Sequence, residues 1–367
     1  MARIATAAGL ASQVTAGQTR APASRIGPGE LAELADIIDV RTPAEFADDH
    51  VPGAINCPVL SNEERVRVGT VHAQVSQFEA KKLGAALISR NIAGIVERFF
   101  DRPRHWAPAI YCWRGGQRSR SLTHVLTEIG WQVVQLEGGY RAYRSHVIER
   151  LAAMPARFQW RVVCGLTGSG KSRLLQALDT AGAQVLDLEA LARHRGSLLG
   201  DLPDDPQPTQ KYFESLVLDR LRRFDPSRPV FVESESRKIG RLQVPSTLLD
   251  AMRASPCVRV DLPPPLRVAL LKEDYDHFLS DPALLAQRLA PLVPLHGKAA
   301  IERWNAMAQS GDFNGVVHAL LVEHYDPAYA RAIERNFPNY GRALAVAPDA
   351  IDGEAFIRSA RDIIAHT

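Results

Sequence analysis

Cysteine is scarce in this chain: its 367 residues carry four, Cys57, Cys112, Cys164 and Cys257, and no two form a Cys-x-x-Cys pair. That spacing argues against a zinc ribbon and against a disulfide framework. Long apolar runs are missing too. No stretch reaches the roughly 18 residues needed to cross a bilayer, so no membrane association is expected. The first two dozen residues, rich in Ala, Thr and Gln, lack the apolar segment of a secretory signal. We expect residues 1–24 to be disordered and the protein to be cytoplasmic. Internal repeats and low-complexity tracts are absent. A strong charge of one sign is also lacking: 44 Lys and Arg stand against 41 Asp and Glu.

What is present is the make-up of a soluble globular protein, 46% hydrophobic and 23% charged, long enough for two domains. The near-neutral total hides an asymmetry. Between Glu97 and Lys171 the chain has 12 basic residues and 5 acidic ones. Such a surplus suits an anionic partner, RNA included, although a solvated arginine-rich face would read the same. Arg141 and Arg144 fall in this stretch and are expected to face such a partner.

Apolar runs alternate with helical spacing, which points to parallel sheets. "DIIDV" precedes "RTPAEF", where Pro43 opens a helix. "HVPGAIN" gives a turn and short strand, and residues 62–100 read as helix. "APAIYC" is a strand ending at Cys112, a helix starts near Arg118, "WQVVQLE" is another strand, and "GGYRAYRSHVIERL" closes the first domain, placed at 25–152. "AAMPARFQ" reads as a linker. The second domain, 158–367, repeats the alternation with "WRVVC", "QVLDLE", "RPVFVES" and "CVRVDL", and from about Pro263 no clear strand is expected, only helix.

Three cysteines sit in apolar strand-like runs and read as small buried hydrophobes. Cys112 differs. It ends a strand and precedes a glycine-bearing turn and a helix, where an open α/β sheet places its ligand site. Gly115 and Gly116 let successive N–H groups point inward around an anion. Arg114, Arg118 and the helix N-terminus favour a nucleophilic thiolate, and the same cradle suits a persulfide or selenopersulfide. Cys-x5-Arg resembles the active-site loop of rhodanese domains, and "DVRTPAEF" and "HVPGAIN" resemble two other recurring rhodanese segments. The resemblance implies a rhodanese-like parallel-sheet domain.

"GLTGSGKS" fits Gly-x4-Gly-Lys-Ser between a strand and a helix. Backbone amides of Gly165, Thr167, Gly168, Ser169 and Gly170 would wrap phosphates, Lys171 would reach outer phosphoryl oxygens, and Ser172 would ligate Mg. Asp187 and Glu233, each ending an apolar strand, are candidate partners of metal-bound water; a helix cap or surface charge explains each equally well. The motif does not choose between a nucleoside triphosphate and a diphosphate ester. The expected fold is α/β: a rhodanese-like domain, then a P-loop NTPase-like domain with a helical C-terminal part.

The stretches "NEERVRVGT", "CWRGGQRS", "LEGGYRAYR", "GLTGSGKS", "QVLDLEALARHRGS", "RPVFVESESRKIG" and "HYDPAY" together resemble the tRNA 2-selenouridine synthase family over nearly the whole chain after residue 25. The resemblance implies replacement of sulfur by selenium at the 2-position of a wobble 2-thiouridine in tRNA, with selenophosphate as donor, and geranylation of that sulfur from geranyl diphosphate. Cys112 would carry the selenium as an S-selanylcysteine, with tRNA and a selenophosphate-supplying enzyme as partners. The P-loop would hold the prenyl diphosphate, and Leu198 and Leu199 are candidate prenyl contacts. Two departures stand out: His72 and Ala73 replace an expected Tyr-Lys, and Tyr111 stands where some relatives have a second cysteine. The rival reading is a rhodanese-type sulfurtransferase fused to a nucleotide kinase or ATPase. A non-catalytic RNA-binding or sensing module is a third, disfavoured by the joint presence of Cys112, Lys171 and Ser172.

Overall fold

The protein is described from a computed structural model, which covers residues 24–34, 36–197, 199–202 and 204–367. The expected disorder of residues 1–23 lies outside the described residues; Ser24 already belongs to the first strand. The described residues up to Arg41 join Ile55–Gly139 in one compact unit, and Thr42–Ala54 joins Tyr140–Thr367 in a second.

The first unit is built on β1 (Ser24–Ile26), β2 (Ile37–Asp39), β3 (Ile55–Asn56), β4 (Ala109–Tyr111) and β5 (Val134–Leu136), all parallel, in the order β1-β5-β4-β2-β3. Between β2 and β3 the chain makes α1 (Pro43–Asp48), which groups with the second unit. Thr42 caps it: its hydroxyl accepts from Glu45 N, and the Glu45 carboxylate accepts from Thr42 N at 3.0 Å, with proline at the first helical position. The expected helical stretch after β3 is two helices, α2 (Asn62–Gln74) and α3 (Gln77–Glu97). α3 buries Ala80, Gly84, Leu87, Ile88, Ile92 and Ile95, a stripe at helical spacing that packs with Ile38, Ile110 and Leu122 in the core. α4 (Gln117–Ile129) follows β4 and is stopped by Gly130 at φ +112°.

α5 (Gly139–Ala153) leads into the second unit. The expected linker "AAMPARFQ" is packed: Met154, Pro155 and Phe158 are buried, and Trp160 Nε1 donates to Pro155 O at 2.9 Å. Segment 42–54 is tied into this unit by Asp49, which is fully buried and accepts from Tyr140 Oη at 2.8 Å and Ser215 Oγ at 2.9 Å.

The second sheet has five parallel strands in the order β12-β11-β6-β8-β7. In chain order they and their helices are β6 (Gln159–Cys164), α6 (Lys171–Thr180), β7 (Gln184–Leu186), α7 (Leu188–Ala192), α8 (Gln210–Arg222), β8 (Pro229–Glu233), the small antiparallel pair β9 (Lys238–Ile239) and β10 (Leu242–Gln243), α9 (Ser246–Arg253) and β11 (Cys257–Val260). The helical part comprises α10 (Pro264–Asp274), α11 (Asp276–Ser280), α12 (Pro282–Leu289), α13 (Val293–His296), α14 (Lys298–Gln309), α15 (Phe313–Leu320) and α16 (Asp326–Asn336), with its own core around Trp304, Leu289 and Val316. The expectation of no strand after Pro263 fails at β12 (Leu344–Val346). Three residues are too few to show a period of two, and pairing with β11 makes them a strand. α17 (Gly353–Ala365) returns against α6 through Phe356, Ala360 and Ile363.

Candidate functional site

In the first unit, β4 is buried along its length, so Cys112 emerges at the C-terminal end of an interior strand. The thiol is only 3% exposed. It lies at the base of a pocket of about 410 Å³ lined by Cys112, Trp113, Arg114, Gln117 and Arg118, with Arg65 from α2. Gly115 turns the loop at φ +65°, and Gly116 is the residue before α4, so the thiol faces a helix N-terminus. Gly139 lies directly beneath: a Cβ there would come within 2.3 Å of Cys112 O and 2.5 Å of Gly115 N. That close approach explains the glycine pair in "LEGGYR".

Sγ of Cys112 lies 3.1 Å from Ser119 Oγ. Gln135 Nε2 donates to that hydroxyl at 2.7 Å and to Gly115 O at 3.2 Å. Ser119 Oγ accepts from Gln135 and has one proton to give: it donates to Gly116 O at 3.2 Å, and turning it to Cys112 Sγ instead would serve a sulfur anion. The two other rhodanese-like segments support the loop from below. Asp39 and Arg41 form a fully buried ion pair at 2.6 Å, Arg41 covers the Tyr111 ring, and Asn56 Nδ2 donates to Asp39 O and Arg41 O.

In the second unit, residues 165–170 run from β6 to α6. Gly168 and Gly170 take φ +73° and +86°. A Cβ on Gly170 would meet the Phe356 ring at 2.5 Å, and one on Gly165 would meet Ser169 Oγ at 2.4 Å. Arg267, buried on α10, donates to Thr167 O at 2.9 and 2.7 Å and pairs with Asp326 at 2.5 Å, fixing the loop from outside. Lys171 Nζ donates to Gly165 O at 3.0 Å and lies 4.9 Å from the Tyr329 ring centroid. Burial works against its charge, but Tyr329, Glu189 and Glu235 outweigh that and hold its pKa above the usual lysine value.

Ser172 Oγ donates to Glu189 Oε2 at 3.0 Å. Glu189 N in turn donates to Glu233 Oε1 at 2.8 Å, and Glu233 Oε2 is buried with no hydrogen-bond partner among the described residues. Burial raises these carboxyl groups. Glu233 is held well above the usual range, with Asp187, Glu189 and Glu235 adding to the effect. Glu235 is pushed up to about 8 by burial and Glu189, with Lys171 opposing. Lys171, Ser172, Asp187, Glu189 and Glu235 line a chamber of about 800 Å³; Glu233 lies outside its lining. Thr167, Ser197, Leu271, Tyr275 and Tyr325 also wall a neighbouring apolar cavity of about 60 Å³, completed by side chains such as Leu199, Phe278 and Val316.

Residues 158–283 match the model of the tRNA 2-selenouridine synthase AAA domain, and residues 27–146 match that of the rhodanese-like domain. A tRNA 2-selenouridine synthase of Bdellovibrio bacteriovorus is 38% identical over 267 residues, covering 68% of each chain. One from Nitrosomonas europaea is 37% identical over 70% of this chain and 67% of its own, and one from Cupriavidus necator is 34% identical over 80% and 87%. This chain belongs to the tRNA 2-selenouridine synthase family.

For this synthase family member, the structure brings together the residues the motifs single out. Cys112, Arg114 and Arg118 share one pocket; Thr167 to Ser172 line the other. Asp187 is the cap of α7, accepting from Ala190 N at 2.8 Å, and also borders the phosphate chamber. Arg144 is not available as a surface cation: it pairs with Glu214 and donates to Lys211 O at 3.2 Å. Arg141 is exposed. His72 and Ala73 are exposed in the last turn of α2. Leu198 lies outside the described residues.

Several site residues escaped the sequence reading: Arg65, Ser119, Glu189, Glu235, Tyr329 and Arg195. Arg195 stacks 4.9 Å from the Tyr275 ring centroid, with Nη1 buried and without a hydrogen-bond partner among the described residues. All six lie within the quoted stretches "NEERVRVGT", "CWRGGQRS", "QVLDLEALARHRGS", "RPVFVESESRKIG" and "HYDPAY", but nothing local marked which side chain faces the pocket. Among the described residues no three His, Cys, Asp or Glu side chains are grouped to hold a metal ion, and no helix is long and apolar enough to cross a membrane.

Proposed function

We propose that this protein replaces the 2-thio group of a wobble 2-thiouridine in tRNA by selenium, through an S-geranyl intermediate, with selenophosphate and geranyl diphosphate as co-substrates. The observation that carries the prenyl half is the shared wall in the second unit. A lysine-bearing phosphate loop opens onto a chamber that borders a cavity lined by Leu, Phe and Val side chains. A prenyl diphosphate suits both: the loop takes the diphosphate, the cavity of about 60 Å³ takes part of the prenyl chain, and Leu270, Leu271 and Ile333 on the chamber wall are there for the rest, whereas a nucleoside triphosphate leaves the apolar cavity without a matching group.

The steps follow from the two pockets. The 2-thio sulfur attacks the prenyl C1, a C–S bond forms, and the C–O bond breaks with its electron pair going to diphosphate. The loop amides and Lys171 neutralise that leaving group. A divalent cation fits here: Ser172 and Glu189 are hard oxygen ligands on the chamber wall, and Glu233, which accepts from Glu189 N, is a second buried carboxyl whose Oε2 has no hydrogen-bond partner among the described residues. Mg held by Ser172 and phosphate oxygens would supply further charge neutralisation when bound. Alkylation turns the 2-sulfur into a thiolate leaving group. The Cys112 thiolate attacks the phosphorus of selenophosphate and breaks its P–Se bond; the selenide released bonds to C2, the C–S bond breaks as geranylthiolate departs, and water frees phosphate from the cysteine. Cys112 is the nucleophile that handles selenium, with Arg65, Arg114 and Arg118 receiving the anionic donor.

The test is nucleoside analysis of tRNA incubated with the protein, selenophosphate and geranyl diphosphate. Selenouridine formed only when both are present supports the reading. Selenouridine formed at full yield without the prenyl donor contradicts it.

A further inference from the structure

Four of the five tryptophans, Trp106, Trp131, Trp160 and Trp304, are buried, while Trp113 is 39% exposed. Trp113 directly follows Cys112 and lines the same pocket. The thiol is sunk to 3% exposure, so a reacting group must enter the pocket that the indole helps to line. Arg65 and Arg114, both exposed, line the pocket with it. An aromatic ring and guanidinium groups lining one pocket are the chemistry that receives an unpaired nucleobase: the ring stacks on the base and the arginines meet the flanking phosphates. A base still stacked in a duplex could not present its 2-position to a buried sulfur.

We propose that Trp113 is the stacking platform for the unpaired base on which Cys112 acts, a positioning residue that sets the base against the mouth of the thiol pocket. The inference rests on the reading of Cys112 given under Proposed function and adds the element that aligns the RNA. Every base has a π-face, so Trp113 supplies affinity and alignment and leaves the choice of sequence to other contacts.

Intrinsic fluorescence tests this on the full chain. Because the other four indoles are buried, titration with an anticodon stem-loop RNA carrying 2-thiouridine at the wobble position should quench Trp113 emission, and a blunt RNA duplex should not. Trp113→Ala should raise KM for the RNA by roughly tenfold to a hundredfold, with Trp113→Phe recovering most of the loss. Release of phosphate from selenophosphate by Cys112 without RNA should be unchanged in both variants. Unquenched emission from the RNA-bound protein, an unaltered KM in Trp113→Ala, or lost phosphate release in that variant would each overturn the assignment. Selenouridine synthesis by a Cys112→Ser variant would instead overturn the underlying reading, so the two failures are separable.

Discussion

Ser172 Oγ and Glu189 Oε2 are 3.0 Å apart, joining the last residue of the phosphate loop to the first of three clustered glutamates. A hydroxyl held by a carboxylate is ready to exchange that partner for a cation. Mg²⁺ added with inorganic diphosphate should therefore raise the melting temperature, by an amount equivalent to about 2.7 kcal/mol at a hundredfold excess over Kd. Ser172→Ala should lose most of that shift in a thermal melt. An equal shift in the variant would remove Ser172 from the site.

The buried carboxyls make a pH prediction. Glu235 is raised from 4.5 to about 8, and Glu189, Glu233 and Asp187 are raised too, burial being the largest cause in each. A carboxyl with a raised folded pKa binds protons more tightly when folded. Its contribution to stability is complete below pH 4.5 and declines as pH climbs towards 8, by up to about 1.4 kcal/mol per pH unit for one group. Glu235→Gln should flatten the fall in denaturant-derived stability over this window. A parallel slope in the variant would refute the assignment.

Ser119 offers a similar test at the thiol. Its hydroxyl, 3.1 Å from Cys112 Sγ and held by Gln135, can turn its proton from Gly116 O to a sulfur anion. Hydrogen bonds to charged groups contribute about 1.5–3 kcal/mol. Ser119→Ala should therefore slow single-turnover selenium transfer on the order of tenfold to a hundredfold, while Ser119→Thr retains more. An unchanged rate would make Ser119 a packing residue.

What could be read from the chain was local. Cys112 with its glycine turn, and Gly165 to Ser172 between strand and helix, are contiguous stretches whose backbone geometry is set by their own glycines, so their position at strand ends was legible. The partners that complete each pocket arrive from distant elements. Arg65 reaches the thiol pocket from α2, and Glu189, Glu235 and Tyr329 reach Lys171 from α7, the end of β8 and α16. No spacing rule ties such residues to a loop. Asp187 was singled out as the residue after a strand, yet its side chain caps α7, and Glu189, two residues on, is the one that meets Ser172. β12 escaped because its strand character comes from β11, and segment 42–54 joins the second unit through the buried Asp49, whose hydroxyl donors are far along the chain.

The measurement that tests the account most directly is mass-spectrometric nucleoside analysis of tRNA from a Cys112→Ser variant supplied with selenophosphate and geranyl diphosphate. Serine keeps the size and hydrogen bonding of the residue but stays protonated at neutral pH and cannot attack the selenium donor as a thiolate does, whereas geranylation needs only the diphosphate site. The account predicts that S-geranyl-2-thiouridine accumulates, eluting late as an apolar nucleoside, and that 2-selenouridine is absent. Production of 2-selenouridine at the parent rate would contradict it and leave Cys112 a structural residue.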